Sequence, residues 1–356
     1  MVAPVVGLFL RVVLLAVVAM LLASLSEYAL AATPIPQAVH NALDAMGPQA
    51  SHIAGLWNVF LAACAAVLAA ILAVLLYILW RTPRADSGAL PDLSSLHTAE
   101  PGPRRNVTRA VVVSVLALFA LVVASVFTDR ALARLSLADA VNIELTAHQW
   151  WWTAKYVNGG PSDTFTTANE LHVPVGRPIV VSLKADDVIH SLWVPSLAGK
   201  KDLIPGRSTV MQFRADHPGI YRGQCAEFCG YQHALMGLLV IADPPAQFDS
   251  WVNAQRQSAA EPQDPKARRG KALFESSSCA MCHAVQGTLA SAQHAPDLTH
   301  VASRQTLAAG TLPNTPQDLA AWISDPQVHK PGTNMPATPL SKDDLEAIVA
   351  YLGGLK

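Results

Sequence analysis

Residues 224–237 read Q-C-A-E-F-C-G-Y-Q-H-A-L-M-G. Cys225 and Cys229 stand four residues apart, His233 follows four further on, and Met236 three beyond that. His190 lies upstream in D-D-V-I-H-S-L-W-V-P. Thiolate, imidazole and thioether are soft to borderline ligands, a set that suits copper. Two cysteines, two histidines and a methionine exceed what one tetrahedral ion needs, and they suit two ions bridged by two sulfurs. Each part also has a simpler reading. A C-x-x-x-C pair in an exported domain can be a disulfide. Cys225, Cys229, His190 and His233 can hold one zinc ion. Met236 alone can be core. Jointly, the set favours copper.

Around this loop, residues 141–146, 170–173, 178–184, 209–214 and 238–241 form short alternating or β-branched runs with Gly, Pro and Asp between them. That spacing predicts a small all-β sandwich or barrel. The β signal stops at Pro244-Pro245. A helical patch at 247–257 leads into a polar linker at 258–265. Residues 266–356 then show helical periodicity at both ends, with Ile348, Val349, Tyr351 and Leu352 on the apolar face of the closing helix.

This last region holds S-C-A-M-C-H at 278–283, and C-x-x-C-H reads as covalent haem attachment through Cys279 and Cys282. His283 is placed to bind the iron from one side. A thioether further along would complete it. Met335, in K-P-G-T-N-M-P at 330–336, is the candidate, because Met281 sits inside the attachment loop. A thioredoxin-like redox pair is the rival reading; the adjacent His283 and the missing βαβ pattern argue against it.

The first half of the chain is different. Charged residues make up 14% of the chain and mean hydropathy is +0.29, which points to membrane segments. Residues 52–80 are free of charge and 110–127 are rich in Val, Leu and Ala, each about the ~20 apolar residues a membrane span needs. Arg81, Arg84, Arg104, Arg105 and Arg109 lie between them, so the connecting loop is expected on the cytoplasmic side. An earlier apolar run ends in Ala29-Leu30-Ala31, the pattern of a signal-peptidase site. Residues 1–32 are therefore expected to be a signal peptide or an anchor helix. Cys64, in the charge-free run, is expected to be a small core residue. A net charge of −1 implies no nucleic-acid partner.

The motif resembles that of cytochrome c oxidase subunit II, in which an upstream His precedes C-x-E-x-C-x-x-x-H-x-x-M; every position is filled here. Residues 266–356 resemble a class I cytochrome c. The resemblance implies a multidomain membrane protein: a two-helix transmembrane hairpin, an all-β cupredoxin-like Greek-key barrel, then an all-α cytochrome c domain. The expected boundaries are 33–136 for the hairpin (helices about 52–80 and 109–128, cytoplasmic loop 81–108), 137–245 for the cupredoxin dinuclear copper domain, 246–265 for the linker and 266–356 for the cytochrome c domain. It implies His190, Cys225, Cys229, His233 and Met236 as copper ligands. Glu227 would ligate through its carbonyl, its carboxylate facing a magnesium or manganese ion shared with subunit I. Ala147-His148-Gln149-Trp150-Trp151-Trp152 resembles the aromatic patch of electron entry, with Trp150 as the residue for that role, although consecutive Trp residues also suit plain interface packing.

By the same resemblance the chain is subunit II of a respiratory terminal oxidase, an oxidoreductase and translocase with no oxygen-reducing site of its own. Electrons would pass from a cytochrome c or a quinol-oxidising complex, through the haem c and the dinuclear copper, to subunit I, where oxygen is reduced to water with proton translocation. Subunit I would be an obligatory partner, with subunit III and membrane lipid beside it. The location would be a bacterial-type inner membrane, multi-pass, with both cofactor domains periplasmic or extracellular. The alternatives are the electron-entry subunit of a copper-containing nitric oxide reductase, or a membrane-tethered electron carrier. The pattern departs from the family in one place. Residues 104–111 lack the glutamate and tryptophan that often open the second membrane helix, and Glu100 stands before Pro101, so no proton-pathway role is assigned.

Overall fold

The computed structural model describes residues 38–82, 101–134, 136–157, 160 and 163–356. The expected signal peptide or anchor at 1–32, and residues 83–100 of the expected cytoplasmic loop, lie outside these.

Two long helices come first, α1 (Pro48–Arg81) and α2 (Pro101–Leu132). They are long and apolar enough to cross a membrane. At 1.5 Å per residue they extend about 51 and 48 Å, more than a ~30 Å hydrocarbon core, so their ends project beyond it. Both therefore exceed the expected spans, and residues 101–108, expected in the loop, are already helical. A proline in the first turn of α1 costs it no hydrogen bond, since that N–H has no helical partner anyway. The start of α1 and the end of α2 line a common cavity, so the pair is an antiparallel hairpin. Their apolar side chains face outward. Cys64 is among the exposed residues, not in a core as expected, because a lone hairpin has almost no interior.

The next part is a β-sandwich. One sheet has the order β3 (Phe165–Ala168), β2 (Trp151–Tyr156), β1 (Val141–His148), β5 (Ile179–Ala185), β8 (Thr209–Phe213). The other runs β4 (Glu170–Pro174), β10 (Gly237–Asp243), β9 (Gly219–Cys225), β6 (His190–Trp193), β7 (Lys201–Leu203). β1 pairs parallel with β5, and β10 with β4. Leu145, Trp152, Leu171, Val181, Leu183, Leu192, Phe213 and Val240 are fully buried in the one core. β1 alternates buried and open residues along its length, the mark of a half-buried strand.

Two expected boundaries shift. Residues 39–50, assigned to the hairpin, are laced to the sandwich: Val39 N donates to Ile220 O (2.8 Å), Met46 N to Ser196 O (2.7 Å) and Ala50 N to Leu197 O (3.2 Å). Half of the expected linker 246–265 is α3 (Pro245–Gln255), where a helical patch was expected at 247–257, and this helix belongs to the sandwich. Its Phe248 enters the sandwich core, and Trp251 stacks on His172 at 4.2 Å. Beyond it, Gln257 O accepts from His300 Nε2 (3.0 Å) and Ala259 N donates to Gln286 O (3.0 Å). Aromatic burial on one side and backbone pairing on the other leave little free tether.

The C-terminal part is helical: α4 (Pro265–Ser276), α5 (Pro316–Ser324), α6 (Pro326–His329) and α7 (Lys342–Leu352), with a short hairpin of β11 (Thr306–Leu307) and β12 (Leu312–Pro313). Side-chain caps start all four of these helices, Asp325 accepting from Gln327 N (3.0 Å) at α6. Asp264 accepts from Ala267 N (2.9 Å), Thr315 from Asp318 N (3.1 Å) and Ser341 from Asp344 N (3.2 Å). α4 crosses α7 at Gly270, where a Cβ would come within 1.9 Å of Ala347 O. Phe274, Ile348, Tyr351 and Leu352 close the core around that crossing.

Candidate copper and haem sites

Adjacent strands assemble the first site. β9 ends on Cys225, and Gly237, which opens β10, pairs back with Gln224. Between them the chain makes a loop carrying Cys229 and a short 3-10 turn, His233–Leu235. β6 pairs with β9 through Leu192 and Cys225, which brings His190 alongside.

The donors converge. The two Sγ atoms lie 3.7 Å apart, far beyond a disulfide's ~2.05 Å. Cys225 Sγ is 3.8 Å from His190 Nδ1 and 3.2 Å from Glu227 O. Cys229 Sγ is 3.6 Å from His233 Nδ1 and 3.8 Å from Met236 Sδ. Two sulfurs, two imidazoles, a thioether and a carbonyl thus ring one spot, and the donor atoms of His190, Cys225 and Cys229 all lie within 4.8 Å of one another. A single tetrahedral zinc ion would leave donors over; a sulfur-bridged copper pair uses them all. The contact between the thiols pushes Cys225 down and Cys229 up, so the first proton leaves readily and the second waits for a metal.

Asp187 was not anticipated from sequence, though D-D-V-I-H puts it three residues before His190. Its Oδ1 accepts from His190 Nε2 (2.8 Å) and Val188 N (2.6 Å), and its Oδ2 from Gln149 N (2.6 Å). Partial burial works to raise this carboxyl, but those donors outweigh it and hold it below the usual range. The ion pair turns His190 Nδ1 toward the sulfur, the way a carboxylate orients a metal-binding histidine. The Glu227 carboxylate faces outward, 3.7 Å from Lys200 Nζ.

Trp150, expected as the residue of electron entry to the copper, is only 7% exposed. Its Nε1 donates to Cys229 O (2.9 Å), and its own carbonyl accepts from Lys330 Nζ (3.1 Å) of the helical domain. The cytochrome-like domain packs over it. Trp151 stacks on His148 at 4.2 Å, and Trp152 is fully buried in the sandwich.

In the second site, Ser277 caps a 3-10 turn, Ser278–Met281, and His283 N donates to Cys279 O (3.0 Å). Two free thiols and an imidazole are thereby gathered within one turn. His283 Nδ1 bonds Pro296 O (2.7 Å), which leaves Nε2 as its ligand atom. Burial pushes this imidazole down, favouring the neutral form that binds iron. Met281 is 67% exposed, as its place in the attachment loop implies. Met335 is half-buried, and Gln327 Nε2 donates to its carbonyl (3.1 Å) and to Thr333 O (2.9 Å), fixing the loop. These residues fit a covalent haem.

A thiolate-pair loop on a β-sandwich, joined to a C-x-x-C-H helical domain behind two apolar helices, defines a membrane-associated, two-centre electron-transfer protein. Residues 157–242 match the family described as cytochrome c oxidase subunit II, periplasmic domain, and residues 267–356 match cytochrome c. Cytochrome c oxidase subunit 2 of Alkalihalophilus pseudofirmus is 43% identical over 219 residues, 61% of this chain and 62% of that one. The Bacillus sp. (strain PS3) protein of the same name is 33% identical over 265 residues, 69% of this chain and 72% of that one. The periplasmic domain of subunit II of cytochrome oxidase of Bradyrhizobium japonicum is 31% identical, with 33% of this chain and 93% of that chain covered and a TM-score of 0.31. The chain belongs to the cytochrome c oxidase subunit 2 family. Its match spans 62% of the length of the first of these relatives.

Proposed function

We propose that this chain is the electron-entry subunit of a haem–copper terminal oxidase in a bacterial-type inner membrane, with both cofactor domains outside the cytoplasm. The observation that carries the reading is the thiol pair 3.7 Å apart with an imidazole beside each sulfur. When bound, the copper pair and the covalent haem supply one-electron redox chemistry. The chain's own residues do the rest. Cys225, Cys229, His190, His233, Met236 and the Glu227 carbonyl hold the copper, and Asp187 orients His190. Cys279 and Cys282 would anchor the haem, and His283 and Met335 would bind its iron. Burial of both cysteines of the first site excludes water. No group in either site is needed as a general acid or base.

Electrons from a cytochrome c or a quinol-oxidising complex enter at the haem domain, reach the copper loop, and leave for subunit I, where oxygen is reduced to water with proton translocation. Trp150 then serves inside the molecule, between the two domains. The Glu227 carboxylate meets subunit I, and a magnesium or manganese ion there would displace Lys200. The partner's chemistry alone separates this reading from a nitric oxide reductase. Purification of the full chain tests it: two coppers, one haem and a co-purifying large haem-binding membrane protein that consumes oxygen are expected. A chain that purifies alone and fully metallated overturns the oxidase reading.

A further inference from the structure

The boundary between the sandwich and the cytochrome domain holds a buried amine that the copper and haem readings leave unused. Lys330 lies five residues before Met335 and is only 2% exposed. Its ammonium donates to Trp150 O and to Ala308 O, each at 3.1 Å. Among the described residues no carboxylate lies within ion-pair reach of it. A buried ammonium is costly unless its donors are satisfied. Burial lowers the pKa of this amine to about 7, so its bonds do not depend on a full charge; the two acceptors come from different domains, so both bonds are made only while the domains stay together.

The surrounding contacts share that logic. Gly237 N donates to Ala309 O (2.9 Å), and a Cβ on Gly237 would sit 2.8 Å from that oxygen, so the two backbones meet with no room for a side chain. Gln232 Nε2 donates to Pro331 O, and Thr311 Oγ1 to Leu235 O (3.4 Å). Asn334, beside Met335, donates its amide to Gln149 O (3.2 Å), while Gln149 Nε2 grips Cys229 O (2.7 Å). A short run of covalent and hydrogen bonds therefore joins the methionine loop to the copper loop.

Tethered domains move relative to one another unless their interface forbids it. We propose that Lys330 is a positioning residue that latches the cytochrome domain permanently over Trp150 and the copper loop. The Trp150 side of the copper loop is thereby closed to soluble donors and faces only the haem domain of the same chain. This inference rests on the electron-transfer reading above. One electron passes from ferrous iron, which is oxidised, to the copper pair, which is reduced, and no bond or proton changes place.

The test uses the full chain in detergent. Trp150 is labelled by hydroxyl radicals, exchange of the Gly237 amide is followed by mass spectrometry, and copper reduction is timed after rapid reduction of the haem. In the native chain, slow labelling and slow exchange are expected with or without copper. Lys330→Glu, which sets a carboxylate against two carbonyl oxygens, should speed labelling and exchange several-fold. It should slow haem-to-copper transfer and let a small soluble reductant reduce the copper ahead of the haem. The haem and copper absorption bands should stay unchanged, which a merely local defect would not allow. Lys330→Met, which keeps length and loses the donors, should move every readout the same way by less, and decides the matter alone if Lys330→Glu does not fold. Native Trp150 labelling as fast as in the unfolded chain, or variants indistinguishable from native, overturns the latch. A chain lacking copper or haem would instead overturn the electron-transfer reading, while labelling and exchange still report on the latch.

Discussion

A cysteine pair held at 3.7 Å in a water-poor loop has two simple fates, oxidation or metal binding, and the imidazoles beside each sulfur favour the second. Cys225→Ser removes one bridging sulfur. The near-infrared band of the copper pair should vanish while the haem spectrum stays; a retained band would contradict the ligand set. Asp187→Asn keeps the shape of the His190 partner and loses its charge. Such outer partners are worth about 10–100-fold in metal affinity, so copper should be lost to a competing chelator at correspondingly lower chelator concentration. Because the ligands must shed protons, copper loading should also weaken as pH falls. Met335→Ala should leave the haem attached, since Cys279 and Cys282 are untouched, and shift its potential downward. An unchanged potential in a redox titration would point to another axial group.

At the scale of elements, helix crossing and strand pairing do the positioning. Gly270→Ala would drive a methyl into Ala347 O, 1.9 Å from the ideal Cβ, and force α4 away from α7. Overpacking of this kind costs about 1–3 kcal/mol, so denaturant unfolding of the haem domain should shift to lower concentration while the copper band is unaffected. The sandwich was legible in sequence where strands alternate, as in β1 and β5, or run continuously apolar, as in β10. It was not legible in β2, β6 and β9, where good strand formers such as Trp, Tyr, Thr and Ile are interrupted by Lys155, His190, Arg222, Gln224 and Gly223, which break the apolar alternation. The copper ligands were legible because five of the six lie within one loop of 224–237. Asp187 and Gln149 were not, because they act through hydrogen bonds that only the pairing of distant strands creates. The domain boundary was the least legible part. It is made of carbonyls from Trp150, Ala308, Ala309 and Pro331, and a carbonyl leaves no mark in a sequence.

Across the whole molecule, the sandwich and the cytochrome domain are also joined at a buried carboxyl, and its titration makes the docked assembly pH-dependent. Glu170, on β4, is 2% exposed and reaches into the cytochrome domain. Its Oε1 accepts from Gln305 N (2.7 Å), Thr306 N (2.9 Å) and Thr306 Oγ1 (3.3 Å). Burial pushes this carboxyl up, and the bonds from Thr306 and Gln305, with the nearby His172 and Arg304, only partly offset it. The sign follows from linkage. Below the ordinary glutamate value of 4.5 the carboxyl is protonated whether the domains are folded and docked or not, so it carries no penalty. As pH rises through that value the unfolded carboxyl ionises first, the native state binds the extra proton, and stability falls until the folded value is passed. The slope from one group is at most about 1.4 kcal/mol per pH unit. Glu170→Gln keeps an oxygen acceptor for the same amides and removes the ionisation. The unfolding midpoints of variant and native chain should therefore coincide near about pH 4 and separate toward about pH 8, with the variant the more stable, and the difference between them cancels the acid sensitivity that both share through their copper ligands. Midpoints that run parallel across this range would mean that Glu170 is solvated in the native protein and that the cytochrome domain does not stay docked against β4.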